Sequence, residues 1–157
     1  QRWVRGLTRG WVAGGVATWR GGMPFSIRSG MDRSLSGVGQ DFADITGDPH
    51  LAADRAKETV IAQYFDTTAF RLATPGTFGN APRNLLRGPG MVNFDVALAR
   101  EIAFRERIRT QLRAEFFNVL NKTNFQGPNS TRTSSAFGTI RSAFPARIIQ
   151  FALKIVL

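Results

Sequence analysis

The 157-residue chain has the length of one ordinary domain, and 43% of it is apolar, enough for either a core or a membrane-facing surface. Its 21 Lys and Arg against 11 Asp and Glu set a formal charge of +10, and 13 Phe with 3 Trp against 1 Tyr argue against wholesale disorder. The lack of Cys excludes disulfide scaffolds, Cys-ligated zinc and thiol catalysis, and His50 is the one base available to any Ser-His-Asp arrangement. No apolar run approaches the roughly 18 residues of a spanning helix, which leaves membrane strands open.

Three arginines, Arg2, Arg5 and Arg9, precede the first periodic segment. From Gly10 to Arg20, Trp11 and Trp19 share one parity with Ala13, Gly15 and Ala17 between them. Eight residues at about 3.4 Å rise, tilted by roughly 40°, set the two rings about 21 Å apart along a membrane normal, close to the spacing of two interfacial aromatic girdles.

Met31 to Met91 is polar and punctuated by Gly and Pro. It holds seven acidic residues (Asp32, Asp41, Asp44, Asp48, Asp54, Glu58, Asp66) and six basic ones, a net of −1 against +11 for the rest of the chain. A connection this long does not fit a compact soluble domain, so it either has a task or belongs to something that is not compact. Asp48-Pro49 and the helix formers Ala52, Ala53, Ala56 and Lys57 predict a short helix within His50 to Tyr64.

Val92, Phe94, Val96 and Leu98 alternate with Asn93, Asp95 and Ala97, and the apolar parity resumes at Ile102 and Phe104 after an interruption at Arg100. From Arg107 to Phe116 one parity carries Arg107, Arg109, Gln111, Arg113 and Glu115, and the other Ile108, Thr110, Leu112, Ala114 and Phe116. Arg105-Glu106 suits a tight turn between the two segments. Phe104, Ile108, Leu112, Phe116 and Leu120 also recur every four residues, so a basic amphipathic helix is an alternative for that stretch. The last segment favours strand, with Ile149, Phe151, Leu153, Ile155 and Leu157 opposite Gln150, Ala152, Lys154 and Val156.

The elements expected are strands near 10–29, 92–104, 107–118 and 147–157, with long loops over 31–91 and 119–146. Four such strands cannot close a barrel, and alone they would expose edges and bare apolar surface. Alternating long and very short connections match an outer-membrane β-barrel, with the long loops outside.

An ordered series of motifs carries a resemblance: Gly10-Trp11, Gly22-Met23-Pro24-Phe25-Ser26, Tyr64-Phe65-Asp66-Thr67-Thr68-Ala69-Phe70, Gly76-Thr77-Phe78-Gly79-Asn80-Ala81-Pro82-Arg83-Asn84, Arg87-Gly88-Pro89-Gly90, Asn93-Phe94-Asp95, Arg113 through Asn121, Asn124-Phe125, Phe137-Gly138 and Arg147 through Lys154. From Gly10 onward the chain resembles the last part of Oar-like TonB-dependent outer-membrane receptors, whose chains often begin with a carboxypeptidase-regulatory-like domain. The resemblance implies an all-β, antiparallel chain forming about four C-terminal strands of a large transmembrane barrel, in the outer membrane of a Gram-negative bacterium. Such barrels have roughly 22 strands and a plug. The partners implied are outer-membrane lipid, the missing N-terminal strands and plug, the TonB system acting through that plug, and the barrel-assembly machinery. The nutrient could be a siderophore, oligosaccharide or peptide, and neither a catalytic residue nor a cofactor or metal is expected. Phe151, Leu153, Ile155 and Leu157 would form the C-terminal insertion signal, with Leu157 standing where the family tends to end on Phe. Arg2, Arg5 and Arg9 would lie at the periplasmic turn.

Strand parity then assigns Trp11, Trp19, Phe94, Val96, Leu98, Ile108, Leu112, Phe116, Phe151, Leu153 and Ile155 to lipid. It assigns Asp95, Arg109, Gln111, Arg113, Glu115, Gln150 and Lys154 to the lumen or plug, where the charged ones are expected to form a ladder of opposite charges across neighbouring strands, the alternative being that they hold the plug or line a route for an anionic solute. Asp41, Asp44 and Asp48 lack the alternate-position ligands and Gly of an EF-hand. The glycines of 76–79 and 87–90 lack the Lys-Ser/Thr of a phosphate loop and suit turns. Loop residues 31–91, Asn118 to Phe125 and Gly127-Pro128-Asn129 are the candidates for solute contact. The competing class is a soluble nucleic-acid-binding domain using Arg100, Arg105, Arg107, Arg109 and Arg113. Against it, Phe104 and Phe116 lie on the parity opposite Arg107, Arg109 and Arg113, whereas a stacking surface wants aromatic and basic residues interleaved.

Overall fold

The computed structural model describes residues 10–105 and 108–156, without the side chains of 103–105, 108 and 156. The expectations for Arg2, Arg5, Arg9, the turn at Glu106, Arg107 and Leu157, and for the side chains of Phe104, Arg105 and Ile108, fall outside the described residues. In chain order the elements are β1 (Trp11–Arg20), the two-residue strands β2 (Pro24–Phe25) and β3 (Asp44–Ile45), helix α1 (Lys57–Ala62), a 3-10 turn (Thr67–Ala69), β4 (Phe70–Arg71), β5 (Leu86–Arg87), and the long strands β6 (Met91–Arg105), β7 (Ile108–Phe117) and β8 (Ile148–Val156). They divide into two compact units: a sheet unit of 1–20, 91–124 and 145–157, and a loop unit of 21–90 and 125–144.

The sheet unit is a four-stranded antiparallel sheet in the order β1-β6-β7-β8. Arg20 pairs with Met91 and Phe117 with Ile148, so both long connections leave from one end of the sheet. The β6–β7 hairpin closes the other end, with a register shift between Ala103 and Arg105. Residues 108–117, which also fit a helical period, are a strand: partners along both edges satisfy their peptide groups, and that outweighs the helix preference of Ala, Arg, Glu and Leu. The first strand ends at Arg20, short of the expected residue 29. The chain turns there because Gly22 lies against the Gly88 backbone, where a Cβ would collide with its carbonyl, and Pro24 follows with no N–H for a ladder.

Three asparagines at three-residue spacing close the loop end of β7. Asn118 and Asn121 adopt left-handed backbone angles, φ 50° each, which Asn tolerates better than most residues. The buried Asn118 amide donates to the carbonyls of Lys122 (3.0 Å) and Pro145 (3.3 Å) and accepts from the Lys122 N–H (3.1 Å). Its own backbone N–H donates to Asp95 Oδ1 (2.8 Å). Buried Asn124 accepts from Val92 N (3.0 Å) and donates to Val92 O (2.9 Å), pairing with β6 as a further strand residue would. Asn121 accepts from the N–H of Arg147, just before β8.

The loop unit has its own core, built on Ile27, Ala43, Phe65, Ala69, Phe70, Ala81 and Leu86. Phe65 is its hub. Its ring packs edge-on against Phe137 (5.1 Å between centroids) and Phe70 (5.8 Å), and at 45° to Phe25 (6.0 Å). The expected long loop 31–91 therefore belongs, with residues 21–30 and 125–144, to a body with a core of its own, because enough Phe, Ile and Ala recur in it to bury a cluster. Within it only Lys57–Ala62 of the helix expected over 50–64 is helical. Upstream, Asp48 captures the His50 N–H (2.9 Å), and Arg55 donates to the carbonyls of Ala52, Gln63 and Tyr64. The helix thus starts at Ala56 without a side-chain cap.

Asp41 fixes the 32–41 turn. Its carboxylate accepts from the N–H groups of Arg33 (2.6 Å) and Ser34 (2.7 Å) and from Ser34 Oγ (3.2 Å). These donors, the Ser34 N–H foremost, hold its pKa below the ordinary 3.8. A depressed carboxylate pKa contributes stability that is complete above the unfolded value and lost as pH falls through the folded one. Limited proteolysis of 32–41 should therefore be unchanged from pH 7 down to pH 5 and should rise below pH 3.8; Asp41→Asn should be cleaved readily throughout. In the sheet unit, Asn118→Ala removes a buried side chain that makes three hydrogen bonds to the backbone of Lys122 and Pro145, and places Ala at positive φ. It should cost about 2 to 4 kcal/mol of folding free energy in denaturant titrations, against little for the exposed Leu120→Ala.

Candidate functional site

Because residues directly opposite on antiparallel strands project to the same side, the register sorts the sheet into two faces. Trp11, Ala13, Gly15, Ala17 and Trp19 pair with Arg100, Leu98, Val96, Phe94 and Val92. Val96, Leu98 and Arg100 in turn oppose Phe116, Ala114 and Leu112, which oppose Ile149, Phe151 and Leu153, with Thr110 and Ile155 continuing the row. One face is thus apolar across all four strands. Among the described side chains its single charge is Arg100, whose guanidinium carbon lies 5.5 Å from the Trp11 ring centroid. Trp19 is 88% exposed and Phe151 79%, so nothing among the described residues covers these parts of the face.

The other face carries Asp95, Arg109, Gln111, Arg113, Glu115, Gln150 and Lys154. On β1 it is less polar, with exposed Val12 and Val16. The expected cross-strand ladder of opposite charges does not form among the described residues. Arg113 faces Ala99 and Ala152, and Glu115 faces Ala97 and Gln150. Arg113 instead reaches along its own strand to Glu115 (2.6 Å), as two residues of equal parity on one strand can. Asp95 is taken by Asn93 (2.8 Å) and the Asn118 N–H. Lys154 stands opposite Gln111.

The loop candidates divide by burial. Asn118, Asn124 and Pro128 are buried and Asn129 accepts from the Thr131 N–H, so these serve the fold, whereas Leu120, Asn121, Lys122, Gln126 and Gly127 are exposed. The three spaced carboxylates go to separate tasks. Asp41 ties its turn, Asp44 pairs with Arg71 (3.5 Å) and accepts from the Asn80 N–H (3.1 Å), and Asp48 binds the exposed His50 ring (2.7 Å). The His50 N–H and ring nitrogen together hold Asp48 below the ordinary carboxylate range. Gly76, at φ 83°, serves a turn in which the Thr77 N–H donates to Thr74 O (3.0 Å).

Of the basic residues of the nucleic-acid reading, the three whose side chains are described do not share one face. Arg100 lies on the apolar face with Trp11, and Arg109 and Arg113 project to the opposite side. Sequence reasoning missed the cleft bounded by Pro49–Arg55, Val60–Phe65 and Asn84–Arg87, since its walls are 35 residues apart in the chain and share no motif.

Neither a search of curated proteins nor one of solved structures returned a match. A family model described as an outer membrane beta barrel domain matches residues 1–150. An apolar face that crosses four paired strands, with a polar face behind it, is the two-sided surface that such a barrel places between hydrocarbon and lumen. The chain belongs to the outer membrane beta barrel domain family, and its place is the bacterial outer membrane.

Proposed function

We propose that the chain supplies about four C-terminal strands of a larger TonB-dependent receptor barrel that imports a nutrient of the siderophore, oligosaccharide or peptide class. The observation that carries the barrel part of this reading is the apolar face: apolar side chains run across all four strands, with Trp19, Phe151, Leu153 and Ile155 exposed, a contiguous patch of the kind soluble monomers rarely leave bare. The TonB-dependent part rests on the ordered motif series from Gly10 to Lys154. In this reading Trp11, Trp19, Phe94, Val96, Leu98, Ile108, Leu112, Phe116, Phe151, Leu153 and Ile155 face lipid. Asp95, Arg109, Gln111, Arg113, Glu115, Gln150 and Lys154 face the lumen or plug.

The role is structural and non-catalytic. The strands complete the wall, long connections belong outside as in outer-membrane barrels generally, and energy arrives from TonB through a plug elsewhere in the receptor. Phe151, Leu153, Ile155 and Leu157 present the last strand to the barrel-assembly machinery. Arg113 and Glu115 neutralise each other along β7, which supports a wall-lining role for them over a selective anion route.

The test is a pair of substitutions at adjacent positions of β7 in the full-length barrel. Leu112→Arg should cost roughly 2 to 4 kcal/mol of folding free energy in bilayers if it sits near the midplane, and Gln111→Arg far less. Equal costs would overturn the assignment of faces. Reversing Arg113 to Glu should leave the selectivity of uptake into whole cells unchanged, and an altered selectivity would make this cluster part of the solute path.

A further inference from the structure

The loop unit contains a cleft of about 600 Å³, within the range of small-molecule sites. Its apolar lining comes from Leu51, Val60, Phe65, Leu85 and Leu86. Its polar lining comes from His50, Arg55, Tyr64, Asn84 and Arg87, and no carboxylate is among the residues that line it.

The charge of this lining is unbalanced in a specific way. Arg55 is fixed by three neutral acceptors, the carbonyls of Ala52 (3.0 Å), Gln63 (2.7 Å) and Tyr64 (3.1 Å). Arg87 donates to the Gly22 carbonyl (3.3 Å). Among the described residues neither guanidinium has a carboxylate partner, which leaves the positive side of this lining uncompensated. The nearby Asp48 is committed to His50. The Tyr64 hydroxyl donates to the Arg87 carbonyl (3.0 Å) and ties two walls of the cleft together, while burial pushes its pKa up and keeps it neutral.

We propose that this cleft binds an organic carboxylate with an apolar body, the body against Leu51, Val60 and Leu85 and the carboxylate toward Arg87, in the field of Arg55. A guanidinium fork matches a carboxylate in geometry, and low-dielectric walls strengthen the attraction. Binding of such an anion requires only a folded loop unit; that the anion is cargo rests on the uptake reading above.

The probe pair is 4-(trifluoromethyl)benzoate and the neutral 4-(trifluoromethyl)benzamide, titrated by ¹⁹F NMR into the full-length protein in zwitterionic nanodiscs, with empty nanodiscs as the blank. The benzoate should bind about tenfold more tightly than the amide. Arg87→Gln should weaken the benzoate about fivefold and leave the amide unchanged, and Arg141→Gln, an exposed charge of the same unit outside the cleft, should change neither. Equal affinities for acid and amide, no binding above the blank, or an equal loss in Arg141→Gln would each overturn the proposal. If Leu112→Arg and Gln111→Arg insert equally well while the benzoate preference persists, the assignment of faces falls and the cleft stands. Normal insertion with no preference removes the cleft alone.

Discussion

Inside hydrocarbon no solvent completes the hydrogen bonds of a peptide group, so each strand N–H and C=O that crosses a bilayer needs a partner on a neighbouring strand. The sheet unit is organised by that requirement. β6 and β7 are paired along both edges, and their register fixes which side chains share a side. Once the pairing is set, a period of two does the sorting, since slipping by one residue would exchange the Leu112 row for the Arg113 row. The clamp of Asn118, Asn121 and Asn124 follows the same logic at the strand ends, supplying amide groups where the ladder runs out.

The two units obey opposite rules of burial. In the sheet unit the residues withdrawn from the surface are polar, Asn118 and Asn124, and the apolar side chains point outward. The buried hydrophobic residues, Ile27, Phe65, Phe70 and Leu86 among them, all lie in the loop unit, which packs an aromatic cluster as a water-soluble domain would. One chain therefore carries a surface designed for hydrocarbon and a core designed for water, and the boundary is marked in sequence by Gly21-Gly22 and Gly88-Pro89-Gly90.

The sheet was legible because alternation survives in a single sequence. Trp11 to Trp19, Val92 to Leu98, Arg109 to Phe116 and Ile149 to Ile155 each declare their two sides, and one interruption, Arg100, proved to be a cation stacked on Trp11. The loop unit was not legible, since its core joins Ile27, Ala43, Phe65, Phe70 and Leu86 with Phe137 at separations that follow no period. The end of β1 was missed for the same kind of reason: Gly22 is required by Gly88, 66 positions later. The charged ladder was misread because parity gives the side of the sheet and leaves the register open; the observed register puts Ala99 and Ala152 beside Arg113.

The loop unit is assembled from two separate connections. One joins β1 to β6 and the other joins β7 to β8, and the rings of Phe65 and Phe137, 5.1 Å apart, come from different ones. Likewise the Arg28 N–H donates to the Ser130 carbonyl (3.0 Å), the Arg28 carbonyl accepts from the Arg132 N–H (2.8 Å), and the Arg132 side chain donates to the Phe70 carbonyl (2.9 Å). The first connection must therefore wait for the second. Before the second connection is in place, the aromatic residues of the first lack Phe137 and their cluster is incomplete. A protease-resistant loop unit would then report that both connections have come together, with no readout taken from the sheet itself.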